Sequence, residues 1–275
     1  MQQILQAINN SGFTPIEGQE LNIAARSEVN LSAINPSGLK IDLQEGVVAN
    51  IIMLHGDASE VSILVNLGRN AQLNLTQISV GTGLVDLSVN HHEDAKSKIV
   101  GVSLKNNANT LHLQLCGANA FSEVDTLQLG AEKDKSSLRI DMRHMSPDCS
   151  SRSLSKCVAS GESTLQFDGL VYVAHDAQRT AAEQNCRCIE LSDSSHIVSQ
   201  PQLEIYADDV KCSHGATMGQ INTDAIFYLR QRGLSEAQAR RVQIEGFITD
   251  VVNKCNISQV CEALQAIVAE KLEEM

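Results

Sequence analysis

The sequence predicts a mainly β, solenoid-like chain that ends in a small helical region, and three observations carry that prediction. Short apolar–polar alternations recur from about Leu21, with successive centres roughly ten to twelve residues apart and Gly, Asn, Asp or Ser between them. Aromatic residues make up only 3% of the chain, with no Trp, so the interior is layered and aliphatic rather than built around large rings. After Gly219 the apolar period switches from two to the helical repeat. The strand rhythm alone fits a β-sandwich as well as a β-solenoid. Its persistence over about two hundred residues, without the varied loops of two sandwich domains, favours the solenoid. Asn-rich corners (Asn66, Asn70, Asn74, Asn90, Asn106, Asn107 and Asn109) suit stacked coils too, as well as ordinary hairpin turns. The implied organisation is a short helical or linker segment over 1–20, a β core over 21–221 and a helical domain over 222–275.

In chain order, residues 1–10 read as one amphipathic helix with Ile4, Leu5 and Ile8 on a face, stopped by Gly12 and Pro15. Strands follow at Val29-Leu31-Ala33, Leu39-Ile41-Leu43, Val61-Ile63-Val65-Leu67, Leu73-Leu75 and Leu111-Leu113-Leu115, each with polar residues between the apolar ones. The polar stretch from Asp141 to Ser163, with Arg143, His144, Pro147 and Asp148, reads as strand ends and exposed loops. FDGLVYV at 167–173 resumes the strand pattern, and NCRCIEL at 185–191 places Cys186 and Cys188 on one side of a strand. Leu203, Ile205 and Ala207 alternate up to a turn at Asp208-Asp209, after which Cys212 and His214 share a face. Asn222 or Thr223 caps a helix that Gly233 ends, and Ser235 with Gln238 forms a capping box for the next, which carries Val242, Ile248, Val251 and Val252. A last helix presents Val260, Leu264, Ile267, Val268 and Leu272. The helices are expected on the end of the solenoid, where they would cover a sheet edge.

Thirty-three acidic against 21 basic residues, a formal charge of -12, argue against nucleic acid or anionic membranes as partners. No apolar run reaches membrane-spanning length, and MQQILQAINNSGF has no basic, apolar-cored leader pattern, so a cytoplasmic chain with reduced thiols is expected. There is no phosphate-binding GxxxxGK[ST], no HExxH and no GxSxG, so an enzyme is not expected. The CxC of Cys186 and Cys188 lacks a second pair at zinc-finger spacing. Cys149, Cys157, Cys255 and Cys261 read as core or surface residues, His91-His92 as a solvated turn, and His144 as an exposed histidine. The interval from Cys186 to Cys212 equals that from Cys188 to His214, and it is close to one coil of a large solenoid. Such a spacing would stack the two pairs on neighbouring rungs, with thiolate and imidazole apt for iron.

PQLEIYADDVKCSHGATMG over 201–219, IFYLRQRGLSEAQA from Ile226 and Gly246-Phe247 resemble the SufD branch of the SufB/SufD family, scaffold subunits of the SUF iron–sulfur assembly system. The resemblance implies a right-handed parallel β-helix core. It also implies a non-enzymatic subunit that pairs with a SufB-like subunit, or with itself in isolation, and docks a SufC-like ABC-type ATPase through the region of Phe227, Tyr228, Arg230, Arg232 and Gly233. A transient Fe–S cluster or iron would be held at His214 with Cys212 and Cys186, and only in the complex. Beside full-length members the chain resembles a short form lacking most of an N-terminal helical region. A β-helix carbohydrate-cleaving enzyme is the other class of reading; it would need a groove of carboxylates, basic groups and stacking aromatics, for which the sequence offers little. A structural homodimer without cluster contact is a third.

Overall fold

The computed structural model describes residues 2–57, 59–255 and 258–275, and these form seventeen strands and four helices. Helix α1 (Gln2–Asn10) leads into β1 (Thr14–Pro15), β2 (Glu20–Ile23), β3 (Glu28–Ile34), β4 (Leu39–Leu43), β5 (Val48–His55) and β6 (Ser59–Leu67). Then come β7 (Gln72–Ser79), β8 (Gly83–His91), β9 (Lys96–Ser103), β10 (Asn107–Leu115), β11 (Phe121–Gly130) and β12 (Lys135–His144). The β region closes with β13 (Ser150–Ala159), β14 (Thr164–Val173), β15 (Thr180–Glu190), β16 (His196–Ile205) and β17 (Val210–Gly219). Helices α2 (Thr223–Gln231), α3 (Glu236–Val252) and α4 (Ser258–Glu273) follow. Odd-numbered strands form one sheet in the order β1 to β17 and even-numbered strands a second, every ladder parallel. Each coil therefore gives one strand to each sheet, and the chain is a β-solenoid; a sandwich of antiparallel hairpins is excluded.

Between the sheets lies an aliphatic core of inward residues such as Ile41, Leu43, Ile51, Val65, Leu87, Leu113 and Phe167. Each fully buried side chain of this size contributes about 1.5–3 kcal/mol. The corners are set by backbone sterics. At Gly46, Asn70, Asp94, Asn119, Asp148 and Arg179 the chain turns with φ between 55° and 68°. Glycine, Asn and Asp adopt this left-handed conformation at least cost. Their amides form a ladder, Asn70 N–H donating to Glu93 O, Asp94 to Ala118 O and Asp148 to Gln178 O. Only some of the expected corner asparagines sit there. Asn66 and Asn90 instead stack in an amide ladder along the strands, Asn90 Nδ2 donating to Asn66 Oδ1 at 2.9 Å and Asn66 Nδ2 to Asp42 Oδ1 at 2.6 Å. Asn107 and Asn109 point into the interior.

The coils are not of one length. Glu28 pairs with Val48, Gln72 with Lys96 and Ser150 with Ala181, so the coils of the C-terminal half are longer than those of the N-terminal half. The widening comes with polar residues inside the later coils. The stretch 141–163, expected as exposed loops, instead forms the end of β12 and all of β13, mostly buried. His144 is wholly buried, not exposed, and so is His91, although His92 to Asp94 do form a surface turn.

The helices are not where the sequence pattern suggested. Ile4 and Ile8 of α1, Ile244, Ile248 and Val251 of α3, and Val260, Leu264 and Val268 of α4 cover Ile52, Ile78, Val100, Leu127 and Val158 on the outer face of the odd-numbered sheet. That face is apolar because the odd strands are buried on both sides, which their alternate-residue pattern alone conceals. Cations fasten the helices to it. Lys156 Nζ donates to Asp250 Oδ1 at 2.6 Å and to the Phe247 carbonyl, and Lys254 Nζ bridges Glu123 at 2.9 Å and Asp125 at 2.7 Å. Among the described residues, no helix covers the terminal coil of β16 and β17. The capping box of Ser235 with Gln238 and the Asn222 cap both form, the Asn222 side chain accepting from Asp224 N and Ala225 N at 3.0 and 3.1 Å. Gly233 ends α2 with φ +95°.

Candidate functional site: the open end of the solenoid and the thiols beneath it

Strands β17 and β16 are the last members of their sheets, so each carries an unpaired row of backbone donors and acceptors. Cys212 and His214 sit on the same face of β17, turned toward the mouth of the solenoid. Cys212 is half-buried against the core, and burial pushes its thiol pKa up, opposed by a backbone hydrogen bond from Ala182. His214 is exposed, as are Ile205, Tyr206 and Met218 around the same end.

The register corrects the expected stacking of the sequence-predicted ligands. Cys186 pairs with Ala216, Cys188 with Met218, and the residues under Cys212 and His214 are Ala182 and Gln184. The coil here is longer than the interval from Cys186 to Cys212, so Cys186 and Cys188 do not lie beneath Cys212 and His214. Cys186 sits one inward position along from Gln184, diagonal to His214 and farther from Cys212. It faces the closed interior, 1% exposed.

What Cys186 meets there is a residue that sequence reading passed over. Cys157, on β13, pairs in register with Cys188. The sulfurs of Cys157, Cys186 and Cys188 all lie within 4.8 Å of one another, those of Cys186 and Cys188 at 3.6 Å. Neither Cys212 nor His214 joins this group. The available signal was the spacing of Cys157 from Cys188, which equals one coil only once the local coil length is known. Hydrogen bonds from Cys157 and Cys188 hold the Cys186 thiol far below its ordinary pKa. The hydrogen bond to Cys186, then that to Cys188 and burial, hold Cys157 well above.

The interior leading to Cys157 is polar. Cys157 Sγ lies 3.3 Å from Gln128 Oε1, Gln128 Nε2 donates to Ser136 Oγ at 3.1 Å and Ser136 Oγ to Asn107 Oδ1 at 3.0 Å. Asn109 Nδ2 in turn reaches Asn107 Oδ1 at 3.1 Å and Ser103 Oγ at 2.6 Å. At the other edge of the core, His91 Nε2 accepts from Ser97 Oγ at 2.7 Å while Nδ1 donates to Gln114 O at 3.2 Å, and His144 Nε2 bonds Ser151 Oγ at 2.9 Å.

A second surface lies at α2, none of whose residues is buried. Phe227 and Tyr228 are 64% and 57% exposed, and the Arg232 guanidinium stacks 5.2 Å from the Tyr228 ring. Phe227 and Arg230 line a cleft of about 450 Å³ shared with Glu190, Asp193 and Arg240.

Residues 37–247 match the family described as SUF system FeS cluster assembly, SufBD core domain, a stretch that includes nearly every coil and both sites. The chain belongs to the SufBD family. Among its relatives it is SufD-like: it is 29% identical over 252 residues to the iron–sulfur cluster assembly protein SufD of Escherichia coli, covering 84% of this chain and 58% of that protein. An iron–sulfur cluster assembly SufBD family protein of Synechocystis is 28% identical over 213 residues (74% of this chain, 47% of the relative). The chloroplastic protein ABCI7 of Arabidopsis thaliana is 33% identical over 169 residues (60% and 36%). The chain thus spans about half the length of the curated relatives it matches. Among the described residues no helix is long and apolar enough to cross a membrane.

Proposed function

We propose that the chain works as a SufD-like scaffold subunit, not itself a catalyst, that joins a SufB-like subunit through its open end. The observation that carries this reading is the uncovered last coil: two edge strands, an apolar rim of Ile205, Tyr206 and Met218, and an exposed imidazole beside them. A parallel edge gains backbone hydrogen bonds from an added strand, and the apolar rim gains burial. Iron or a nascent Fe–S cluster is the cargo, held transiently by His214, with Cys212 as the neighbouring thiol and further ligands from the partner. Thiolate and imidazole hold iron while remaining exchangeable. Cys186, buried on the coil below and out of register with Cys212 and His214, is not among the ligands in this reading. A SufC-like ATPase would dock at α2, where Phe227, Tyr228, Arg230 and Arg232 are exposed or half-exposed ahead of Gly233.

The test is co-expression with a SufB-like and a SufC-like protein. Co-purification is expected, with His214→Ala lowering iron and sulfide in the reconstituted complex while complex formation is kept. Equal iron and sulfide contents in the two complexes would reduce His214 to a surface residue. A stable homodimer that ignores the SufB-like protein would replace this reading with that of a self-paired structural protein. Phe227→Ser with Tyr228→Ser should abolish capture of the ATPase and leave SufB-like pairing intact, since α2 buries no residue in this chain. Undiminished capture in a pull-down would move the docking surface elsewhere.

A further inference from the structure

We propose that Cys157, Cys186 and Cys188 form a three-thiolate site for one thiophilic closed-shell cation, of the zinc(II) or copper(I) type, enclosed one rung below the open end of the solenoid. The inference is independent of the interface role of His214, because none of its ligands lies on the last coil.

The geometry suits a shared ion. With each sulfur about 2.3 Å from a central cation, the sulfurs stand about 3.8–4.0 Å apart, in tetrahedral or trigonal arrangement. The three Sγ atoms here lie within 4.8 Å of one another, with one pair at 3.6 Å, so small shifts of the side chains close the site. Two rungs supply the ligands: Cys186 and Cys188 alternate inward along β15, and Cys157 pairs with Cys188 from β13. The rigid ladder fixes all three Cα positions before any ion arrives, which removes most of the ordering cost of binding. No carboxylate or imidazole belongs to the group, so hard cations such as magnesium and calcium gain nothing there.

A hydroxyl donor stands beside it: Ser199, its oxygen shut off from solvent, neighbours Cys186 across the core and can donate to the ionised sulfur, offsetting part of the burial of a net negative thiolate complex. Gln184, one inward position before Cys186 and 1% exposed, has no hydrogen-bond partner for its amide among the described residues, and an unpartnered buried amide on the adjoining position is costly. On binding, each protonated thiol gives its proton to solvent as a metal–sulfur bond forms, with no change of oxidation state. The lid over the site is a single edge strand, Met218 lying over Cys188 and Ala216 over Cys186. Fraying of that strand is the entry path.

The experiment titrates the reduced, metal-free full chain with cadmium(II) and follows sulfur-to-cadmium charge-transfer absorption in the ultraviolet. One equivalent should bind, with an intensity matching three Cd–S bonds, and zinc(II) should compete it away. Cys157→Ser, Cys186→Ser and Cys188→Ser should each weaken binding at least about tenfold and remove roughly a third of the band, whereas Cys116→Ser should change neither. Far-UV circular dichroism screens the variants for folding, and the wild-type stoichiometry and band intensity decide the matter even if one variant does not fold. No wild-type band, an intensity of two bonds or fewer, or a band insensitive to all three folded substitutions would overturn the site.

Discussion

Acidification should unfold this solenoid through three histidines sealed inside it. His55, His91 and His144 are buried, and each is held down to about 4 from an ordinary value of 6.5, in every case chiefly because burial penalises the charged ring. Backbone hydrogen bonds at His91 oppose the shift, and the neighbouring His91 adds to it at His144. Above pH 6.5 these rings are neutral in both folded and unfolded chains and cost nothing. As pH falls below 6.5 the unfolded chain takes up protons that the folded chain refuses until about pH 4, so stability is lost across that window. Each displacement corresponds to about 3 kcal/mol, and the three together to about 10 kcal/mol, comparable with the whole stability of a typical domain. Near pH 5 the slope should approach about 4 kcal/mol per pH unit. Urea unfolding followed by far-UV circular dichroism at steps between about pH 7 and 5 measures that slope above the range where carboxylates titrate. His55→Leu is the informative variant, because neither ring nitrogen of His55 has a hydrogen-bond partner among the described residues. It should raise stability at neutral pH and lower the slope by about a third. A flat profile across that range, or ring proton signals of these three histidines titrating at the ordinary value, would refute the reasoning.

Two further changes probe how coils and helices are held. Gly117→Ala should cost at least about 2 kcal/mol, because a Cβ there would stand 2.0 Å from Glu93 N and 2.3 Å from the His92 carbonyl carbon, backbone of the preceding coil. A melting temperature unchanged by this substitution would mean that the corner is looser than described. Lys254→Met leaves the Asp125 carboxylate, 4% exposed, without its cation, and should cost about 3 kcal/mol; burial already raises the Asp125 pKa against the pull of Lys254. Its signature is preferential hydrogen exchange of α3 ahead of the β core, and uniform exchange would count against a local fastening.

The β rhythm, the first helix, both helix caps and the Cys212–His214 strand were legible because each rests on local chemistry: alternation, a glycine stop, an Asn or Ser before a helix. The sheet to which a strand belongs was not. Ile52, Leu54, Ile78 and Leu127 point away from the solenoid core into the helical layer, so the outward positions of odd strands are apolar too, and nothing local tells a doubly buried strand from a half-buried one. The placement of the helices on the sheet's flank follows from that face and not from their own patterns. The thiol trio was missed for a related reason. Coil length grows along the chain, from the Glu28–Val48 pairing to that of Ser150 with Ala181, so the interval from Cys186 to Cys212 pointed to the wrong neighbours and Cys157 looked solitary. Buried His91 and His144 were read as exposed because histidines inside a solenoid are satisfied by serines on the facing sheet, such as Ser97 and Ser151, rather than by adjacent residues of their own strand.

The flank position of the helices has a consequence for the open end. A long edge strand with an apolar rim invites uncontrolled pairing unless something covers it, and α1, α3 and α4 are all committed elsewhere. Lys211 is exposed on β17, but Met218, Ile205 and Tyr206 stand uncovered around the same mouth. In the proposed reading the cover is the partner subunit, and that makes pairing and ligand sequestration one event: the strand that hydrogen-bonds to β17 also closes the mouth over Cys212 and His214. The prediction that follows is a dependence of pairing on the backbone of β17 rather than on its ligands. Ala216→Pro removes an outward-facing donor of that edge, the neighbouring odd-numbered residues being those that bond β15, and fixes φ in the middle of the strand; it should abolish capture of the SufB-like subunit, whereas His214→Ala should retain it. Capture that survives Ala216→Pro in a folded chain would show that the partner seats on side chains of the rim alone, and would separate closure of the mouth from association.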